Sequence, residues 1–544
     1  MHRSHRARSS RADRRRRAAV GTVSVALLAG ATLGGAPAAH AAPTAVTVAP
    51  TALTAAPTAV TASAELPTEV RFVDIPGHQG VRLAANVVAP AGTDRAHPVL
   101  VFPTSWAMPQ VEYVAQARKL AARGYVVVSY NVRGFWQSGG EIEVAGPADI
   151  TDASRVIDWA LAHTAADPER VGMGGVSYGA GISLLTAAAD PRVRAVAAMS
   201  GWADLVESLY SGQTQHTQAT AFLTGAGYLT GRPSERTATM MNRMLSGKLD
   251  GLDDVIAWAE QRSATHQVDR INANGTAVYL ANAWGDSFFA PNQYADFYEE
   301  LTGPKRLELR PGDHASAEAT GLLGLPNDVW TGTQRWFDHH LGGVRNGIDT
   351  ERPVRLKPRS GAPYESYASW SQATARTERI TFADRERILS NGGSGANAGV
   401  SFLSNIFDQF TREAPKAAIP LLPGHRAATW QTGHHDTERR VRGAATVRTT
   451  VTSSHPSGTA VAYLYDVGPL GVGELITHAP ATFHDAVPGK PFALDVELFA
   501  TAYDVPAGHR LALVIDGVDT LYTDHNSFAQ SLTFTDTELT VPLG

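Results

Sequence analysis

The pentapeptide Gly175-Val176-Ser177-Tyr178-Gly179 stands between an apolar run, Arg170 to Gly174, and a small-residue helical stretch, Ala180 to Ala189. Glycines two before and two after a serine, at a strand-to-helix turn, permit a backbone too tight for side chains, and the turn lifts the hydroxyl off the end of the sheet. A chain with that turn needs a parallel sheet around it, and the flanking sequence supplies one. Val70 to Ile75 and Val81 to Val88 read as a strand pair, and Val99 to Phe102 and Tyr125 to Tyr130 as buried strands. Helical periodicity separates the later strands, over Val111 to Ala122 and Ala148 to Ala162, and Val193 to Met199 follows. Continuous β-branched runs such as Tyr125-Val126-Val127-Val128 suit strands covered on both faces, so the expected class is α/β with a doubly wound, mostly parallel sheet.

From about Trp202 to Asp269 the alternation is broken by helical, polar and aromatic stretches, read as a helical cap inserted between core strands. The strand pattern resumes at Ala277 to Leu280 and Arg306 to Leu309, and a helix over Asp328 to Leu341 closes the domain, set at residues 67–345. Beyond it the period changes to two. Phe492, Leu494, Val496 and Leu498 alternate with Ala493, Asp495 and Glu497, and Leu511, Leu513 and Ile515 repeat the pattern. An antiparallel β-sandwich is therefore expected over residues 353–544.

The N-terminus follows other rules. Eight arginines between Arg3 and Arg17 precede a small, apolar stretch that ends on Ala39-His40-Ala41, the order of an export signal over residues 1–41, by the Sec or the Tat route. Ala42 to Thr47 then recurs with a period of seven, each copy carrying a Pro, which forbids a helix and predicts an extended tether over residues 42–66. Removing the leader deletes eight Arg and one Asp and takes the formal charge from −5 to −12. An acidic mature surface argues against nucleic acid or anionic membrane as partner. The absence of Cys excludes disulfides, thiol nucleophiles and thiolate metal sites.

A serine hydroxyl becomes nucleophilic when an imidazole takes its proton, and the imidazole needs a carboxylate to hold its tautomer. Asp286 follows the strand ending at Ala283 and His314 follows the strand ending at Leu309, both at carboxyl ends of strands, where open α/β sheets place their sites. Asp313, beside the histidine, is the rival acid and is read as a loop residue. An oxyanion would be held by the backbone N–H of Tyr178 and by a second donor in Pro103-Thr104-Ser105-Trp106, with Ser105 and Trp106 as candidates. Trp202, Phe222 and Tyr228 in the cap are candidates for an apolar substrate pocket. His339-His340 and His434-His435 are sequence neighbours whose side chains diverge, so neither a metal nor any other cofactor is expected.

Asn131-Val132-Arg133-Gly134, Ser138-Gly139-Gly140-Glu141, the turn at Ser177, and the Asp286 and His314 positions resemble the cocaine esterase and X-Pro dipeptidyl-peptidase family of α/β-hydrolases. So do Tyr465-Asp466-Val467, Leu475-Ile476-Thr477 and Pro506-Ala507-Gly508-His509-Arg510 near the C-terminus. The resemblance covers roughly Val70 to Gly544 and implies a C-terminal jelly roll walling one side of the cleft, with His509 structural. It implies cleavage of a small-molecule or peptide acyl ester or amide; with the leader and the serine turn, the expectation is a secreted serine hydrolase. The alternatives are an X-Pro dipeptidyl aminopeptidase, which needs a carboxylate for the substrate's free amine (Asp204 and Glu207 are candidates), and a non-catalytic glycan-binding protein. Family members commonly place a tyrosine hydroxyl in the oxyanion loop, where this chain has Thr104-Ser105-Trp106.

Overall fold

In a computed structural model the chain is described from residue 65 to 544, apart from 93, 94, 249 and 402; the expected leader and nearly all of the tether lie outside the described residues. Ten strands form the first sheet: β1 (Thr68–Pro76), β2 (Arg82–Pro90), β3 (His97–Pro103), β4 (Val126–Tyr130), β5 (Ala166–Val176), β6 (Val193–Met199), β7 (Ala277–Ala283), β8 (Lys305–Arg310), β9 (Val354–Leu356) and β10 (Glu365–Tyr367). Their order is β1-β2-β4-β3-β5-β6-β7-β8-β9-β10. Every pairing from β4 to β9 is parallel, and the three outer pairings are antiparallel.

The period of two explains why this sheet is buried on both faces. Along β3, Val99 and Val101 join one apolar cluster while Leu100 and Phe102 join the other. Helices Pro147–His163 and Tyr178–Ala189 cover the first face, and Val114–Ala122 and Asp328–His340 the second. Between β6 and β7 the expected cap is a group of helices, including Leu205–Leu209, Thr217–Thr230, Glu235–Leu245 and Leu252–Glu260.

Two antiparallel sheets make the second region. One has the order β19 (Pro491–Glu497), β16 (Thr446–Ser453), β22 (Ser531–Leu543), β15 (Arg439–Gly443), β20 (Thr501–Val505), with β11 (Arg376–Phe382) and β12 (Glu386–Leu389) also on β22. The other runs β13 (Lys416–Ala418), β18 (Val472–Phe483), β17 (Gly458–Val467), β21 (Arg510–Asp516), β14 (Ala427–Gln431). Val447, Val451, Leu464, Leu513 and Phe534 meet in the core between them.

The structure adds to three sequence expectations. Just past the boundary expected at residue 353 the chain still completes the first sheet, because β9 pairs in parallel with β8 and buries Val354 and Leu356; the strands of the sandwich sheets start at Arg376. Strands of three residues carry no readable period. The alternation at Leu511 also understates burial: β17 is buried along its whole length and β21 from Leu511 to Asp516, with Tyr463, Tyr465 and Val514 in a further cluster that holds Leu521 and Tyr522. Finally, helix Leu403–Thr411 lies within a region read as all β.

Candidate active site

Ser177 sits between β5 and the helix Tyr178–Ala189 with φ 83° and ψ −104°, a left-handed conformation that costs a non-glycine residue about 1–3 kcal/mol. Its neighbours show why the flanking glycines are required. A Cβ on Gly175 would lie 2.7 Å from the Gly179 carbonyl carbon, and one on Gly179 would lie 2.2 Å from the Pro103 carbonyl oxygen. The Ser177 N–H donates to the Met199 carbonyl at the end of β6, which pins the turn.

The loops after β7 and β8 bring Asp286 and His314 to this serine. Ser177 Oγ is 2.8 Å from His314 Nε2, and His314 Nδ1 is 3.0 Å from Asp286 Oδ2. A carboxylate facing Nδ1 fixes the proton there, so Nε2 is the acceptor for the serine hydroxyl. Asp286 is itself held, since Oδ1 accepts from the N–H groups of Phe288 and Phe289. The His314 ring stacks on Phe288 at 4.7 Å and meets the edge of Phe289 at 5.0 Å. Burial favours the neutral imidazole, but the charge and hydrogen bond of Asp286, reinforced by Asp313 and Glu318, outweigh it and raise the pKa above 6.5.

Asp313 is more than a loop residue. Its Oδ1 accepts from the N–H of His314 and from the N–H of Ser287, and thereby ties the two loops together. Asn405, on the helix Leu403–Thr411, donates to the Gly285 carbonyl and to Asp313 Oδ2, and Gln409 accepts from Ser316 Oγ. Burial and the neighbouring Asp286 push Asp313 up to about 6. Glu318, which accepts from Ser200 Oγ, is pushed by burial to about 7 although Arg310 pulls it down. Sequence reasoning missed Glu318, Asn405 and Gln409; only Asp313 carried a signal, its adjacency to the histidine.

The oxyanion candidates divide. Ser105 is excluded by its bonds, since its N–H and its hydroxyl both donate to the buried Glu112 carboxylate. The Trp106 indole N–H is likewise committed, to the Leu223 carbonyl in the cap. Two backbone donors remain: the N–H of Tyr178, first in its helix and so without an intrahelical acceptor, and the N–H of Trp106, which has no acceptor among the described residues.

A cavity of about 650 Å³, open to solvent, starts at Ser177 and runs beneath the cap. Its wall includes Trp106, Tyr178, Trp202, Leu209, Met240 and Trp258, and none of its lining residues is charged. Trp202 lines this cavity, whereas Phe222 and Tyr228 do not. Helix Thr217–Thr230 turns Thr220, Leu223 and Thr224 to the cavity, leaving Phe222 40% and Tyr228 51% exposed, and Phe222 packs on Phe288 instead. Asp204 and Glu207 do not line it either; Asp204 caps the helix Leu205–Leu209 by accepting from Val206 N–H and Glu207 N–H. Among the described residues no group of three or more His, Asp or Glu is placed to hold a metal.

Residues 79–316 match the family model of X-Pro dipeptidyl-peptidase (S15 family), and residues 346–541 match that of the X-Pro dipeptidyl-peptidase C-terminal non-catalytic domain. The chain belongs to this family. It is a serine hydrolase. A relative from Streptomyces avermitilis, provisionally named Xaa-Pro dipeptidyl-peptidase, is 22% identical over 76% of this chain and 69% of its own length. An α-amino acid ester hydrolase structure superposes with a TM-score of 0.69 at 15% identity, over 90% of this chain and 98% of its own. A CocE/NonD family hydrolase from Staphylococcus aureus does so at 0.67 and 12%, over 89% and 98%. At these identities the superpositions establish the fold: an α/β-hydrolase sheet with a C-terminal all-antiparallel β domain.

Proposed function

We propose that this hydrolase cleaves an acyl ester or amide through Ser177, His314 and Asp286, with an acyl-enzyme intermediate. The observation that carries the reading is the unbroken line of contacts from Ser177 Oγ to His314 Nε2 and from His314 Nδ1 to Asp286. Ser177 Oγ attacks the acyl carbonyl while Nε2 takes the hydroxyl proton, and the tetrahedral oxyanion is held by the N–H groups of Trp106 and Tyr178. His314 returns the proton to the departing alcohol or amine, then activates a water that releases the acid. The substrate is a small molecule or a peptide. The Arg-rich, apolar and small-residue order of the first 41 residues supports export.

The test is turnover of p-nitrophenyl esters and amino-acyl amides by the protein and its Ser177→Ala variant. We expect a loss of about 10⁶ in kcat, the scale for removing the nucleophile of such a triad. A variant that retains more than about a hundredth of the activity would reject Ser177 as nucleophile.

A further inference from the structure

On the mechanism above, the two oxyanion donors follow different strands, the Trp106 N–H after β3 and the Tyr178 N–H after β5. These strands are parallel neighbours, but their paired register ends at Val101 and Met173. Beyond that point β3 runs into Pro103, which has no N–H to donate. The ladder that aligns the two strands therefore stops short of the site.

Side chains take over where the ladder stops. Glu112, just before the helix Val114–Ala122, holds Ser105 twice: Oε2 accepts from the Ser105 N–H at 2.8 Å, and Oε1 lies 2.6 Å from Ser105 Oγ. Ser105 Oγ also lies 3.0 Å from the Val176 carbonyl oxygen and 3.3 Å from the Tyr113 hydroxyl. That hydroxyl accepts from the Val176 N–H at 3.0 Å. Ser105 directly precedes Trp106, and Val176 directly precedes Ser177. The link thus joins the residue before one oxyanion donor to the residue before the nucleophile. The peptide that carries the Trp106 N–H is also fixed at its carbonyl, since the Ser105 oxygen accepts from the Met108 N–H at 3.1 Å, and a trans peptide points its N–H the opposite way.

These bonds can all form at once. The Ser105 hydroxyl has one proton and two acceptors within reach, Glu112 and the Val176 carbonyl. When the Glu112 carboxyl is protonated, Oε1 donates to Ser105 Oγ and the Ser105 proton serves Val176. Burial pushes this carboxyl up to about 7, against the hydrogen bonds of Ser105 and Tyr113. A glutamine side chain has the same shape and presents the same donor and acceptor.

We infer that Glu112 is a positioning residue for this hydrolase: through Ser105 it ties the oxyanion loop to the serine turn and aims the Trp106 N–H at the oxygen that becomes charged. Neither Glu112 nor Ser105 lines the cavity at Ser177, so the effect passes through the backbone. This rests on the Ser177 reading above.

The experiment uses whichever p-nitrophenyl ester the unaltered protein turns over fastest, together with phenyl trifluoromethyl ketone. Ser177 Oγ adds to the ketone carbonyl, its proton goes to His314, and the ketone oxygen becomes an oxyanion in the place where the ester's would form. Both compounds are measured on Glu112→Leu, Glu112→Gln and Ser105→Ala. In Glu112→Leu kcat should fall about 10²-fold, the lower end of what loss of an oxyanion donor costs, with KM within about twofold. The ratio of the ketone's Ki to the ester's KM should rise by a similar factor, and that ratio does not depend on how much of a variant folds. Glu112→Gln should keep kcat and the ratio within about threefold of the unaltered protein, less than the loss of one neutral hydrogen bond. Ser105→Ala keeps the backbone bond to Glu112 but loses the hydroxyl link to Val176, and should fall between them at about tenfold. A lowered Tm with an unchanged ratio in Glu112→Leu and Ser105→Ala would show a purely structural role and overturn the inference. So would a Glu112→Gln as impaired as Glu112→Leu, because a charge rather than these bonds would then be required. Ser177→Ala separates this from the reading beneath it. Turnover retained there rejects Ser177 as nucleophile, whereas turnover lost there with an unchanged ratio in Glu112→Leu rejects the role of Glu112 alone.

Discussion

The two sides of Ser177 are built from opposite materials. Beneath the cap the wall has no charge. On the His314 side three carboxyl groups, Asp286, Asp313 and Glu318, are buried, and their combined field holds the imidazole pKa up. Charge is thus concentrated around the His314 imidazole and kept away from the cavity beneath the cap. Both are effects of burial, which weakens an unpaired charge and strengthens a paired one.

Breaking the charged side should have the largest effect. Asp286→Asn leaves the shape intact but removes the acceptor that fixes the Nδ1 proton, and kcat should fall by about 10⁴. If kcat falls less than tenfold, Asp313 is standing in as the acid and the division of roles is incorrect. Next comes the backbone that holds the sides apart. Gly179→Ala drives a methyl against the Pro103 carbonyl, at a cost of about 3 kcal/mol, read as a lowered Tm and a loss of the elbow's activity.

Moving a charge across the divide sharpens the comparison. Met240 is buried in the cavity wall, and Met240→Asp should shift the ratio of free-amine to N-acetyl leucine ester hydrolysis about tenfold toward the free amine. The smallest effect is on pH dependence. On the proposed mechanism His314 must be neutral to act as base, so kcat/KM should fall on the acid side, with a midpoint displaced upward from that of a free imidazole by the Asp286 charge. Asp313→Asn removes a negative charge that favours the imidazolium, so the acid limb should move to lower pH. A limb that stays in place, followed by kcat/KM across the pH range, would show that Asp313 does not act on His314 through its charge.

The legible parts of this molecule were those encoded by local pattern. Each strand of five residues or more in the first sheet had a β-branched or alternating run, and Ser177, Asp286 and His314 could be placed because each follows the end of such a run. Ser105 was misjudged because the direction of a loop hydroxyl depends on what lies near it, here Glu112 seven residues on. Phe222 and Tyr228 failed for a related reason: aromatic residues mark a helix as apolar, but its rotation is set by the cavity, which is lined by Thr220, Leu223 and Thr224. Strands β9 and β10 left no trace because three residues carry no period, whereas the helix Leu403–Thr411 did leave one: Leu403, Ile406, Phe407 and Phe410 fall at helical spacing, which the expectation of an all-β region passed over.

That last helix constrains how the chain can have changed over time. Asn405 and Gln409 grip the loops of Asp286 and His314, although the helix lies in the sequence beyond β9 and β10, and those strands complete a sheet begun some 280 residues earlier. A recombination crossover between residues 341 and 353 would draw β8 and Gly285 from one parent and β9, β10 and positions 405 and 409 from the other, so the strand pairing and the bonds to the Gly285 carbonyl and Ser316 would have to form between residues of different parents.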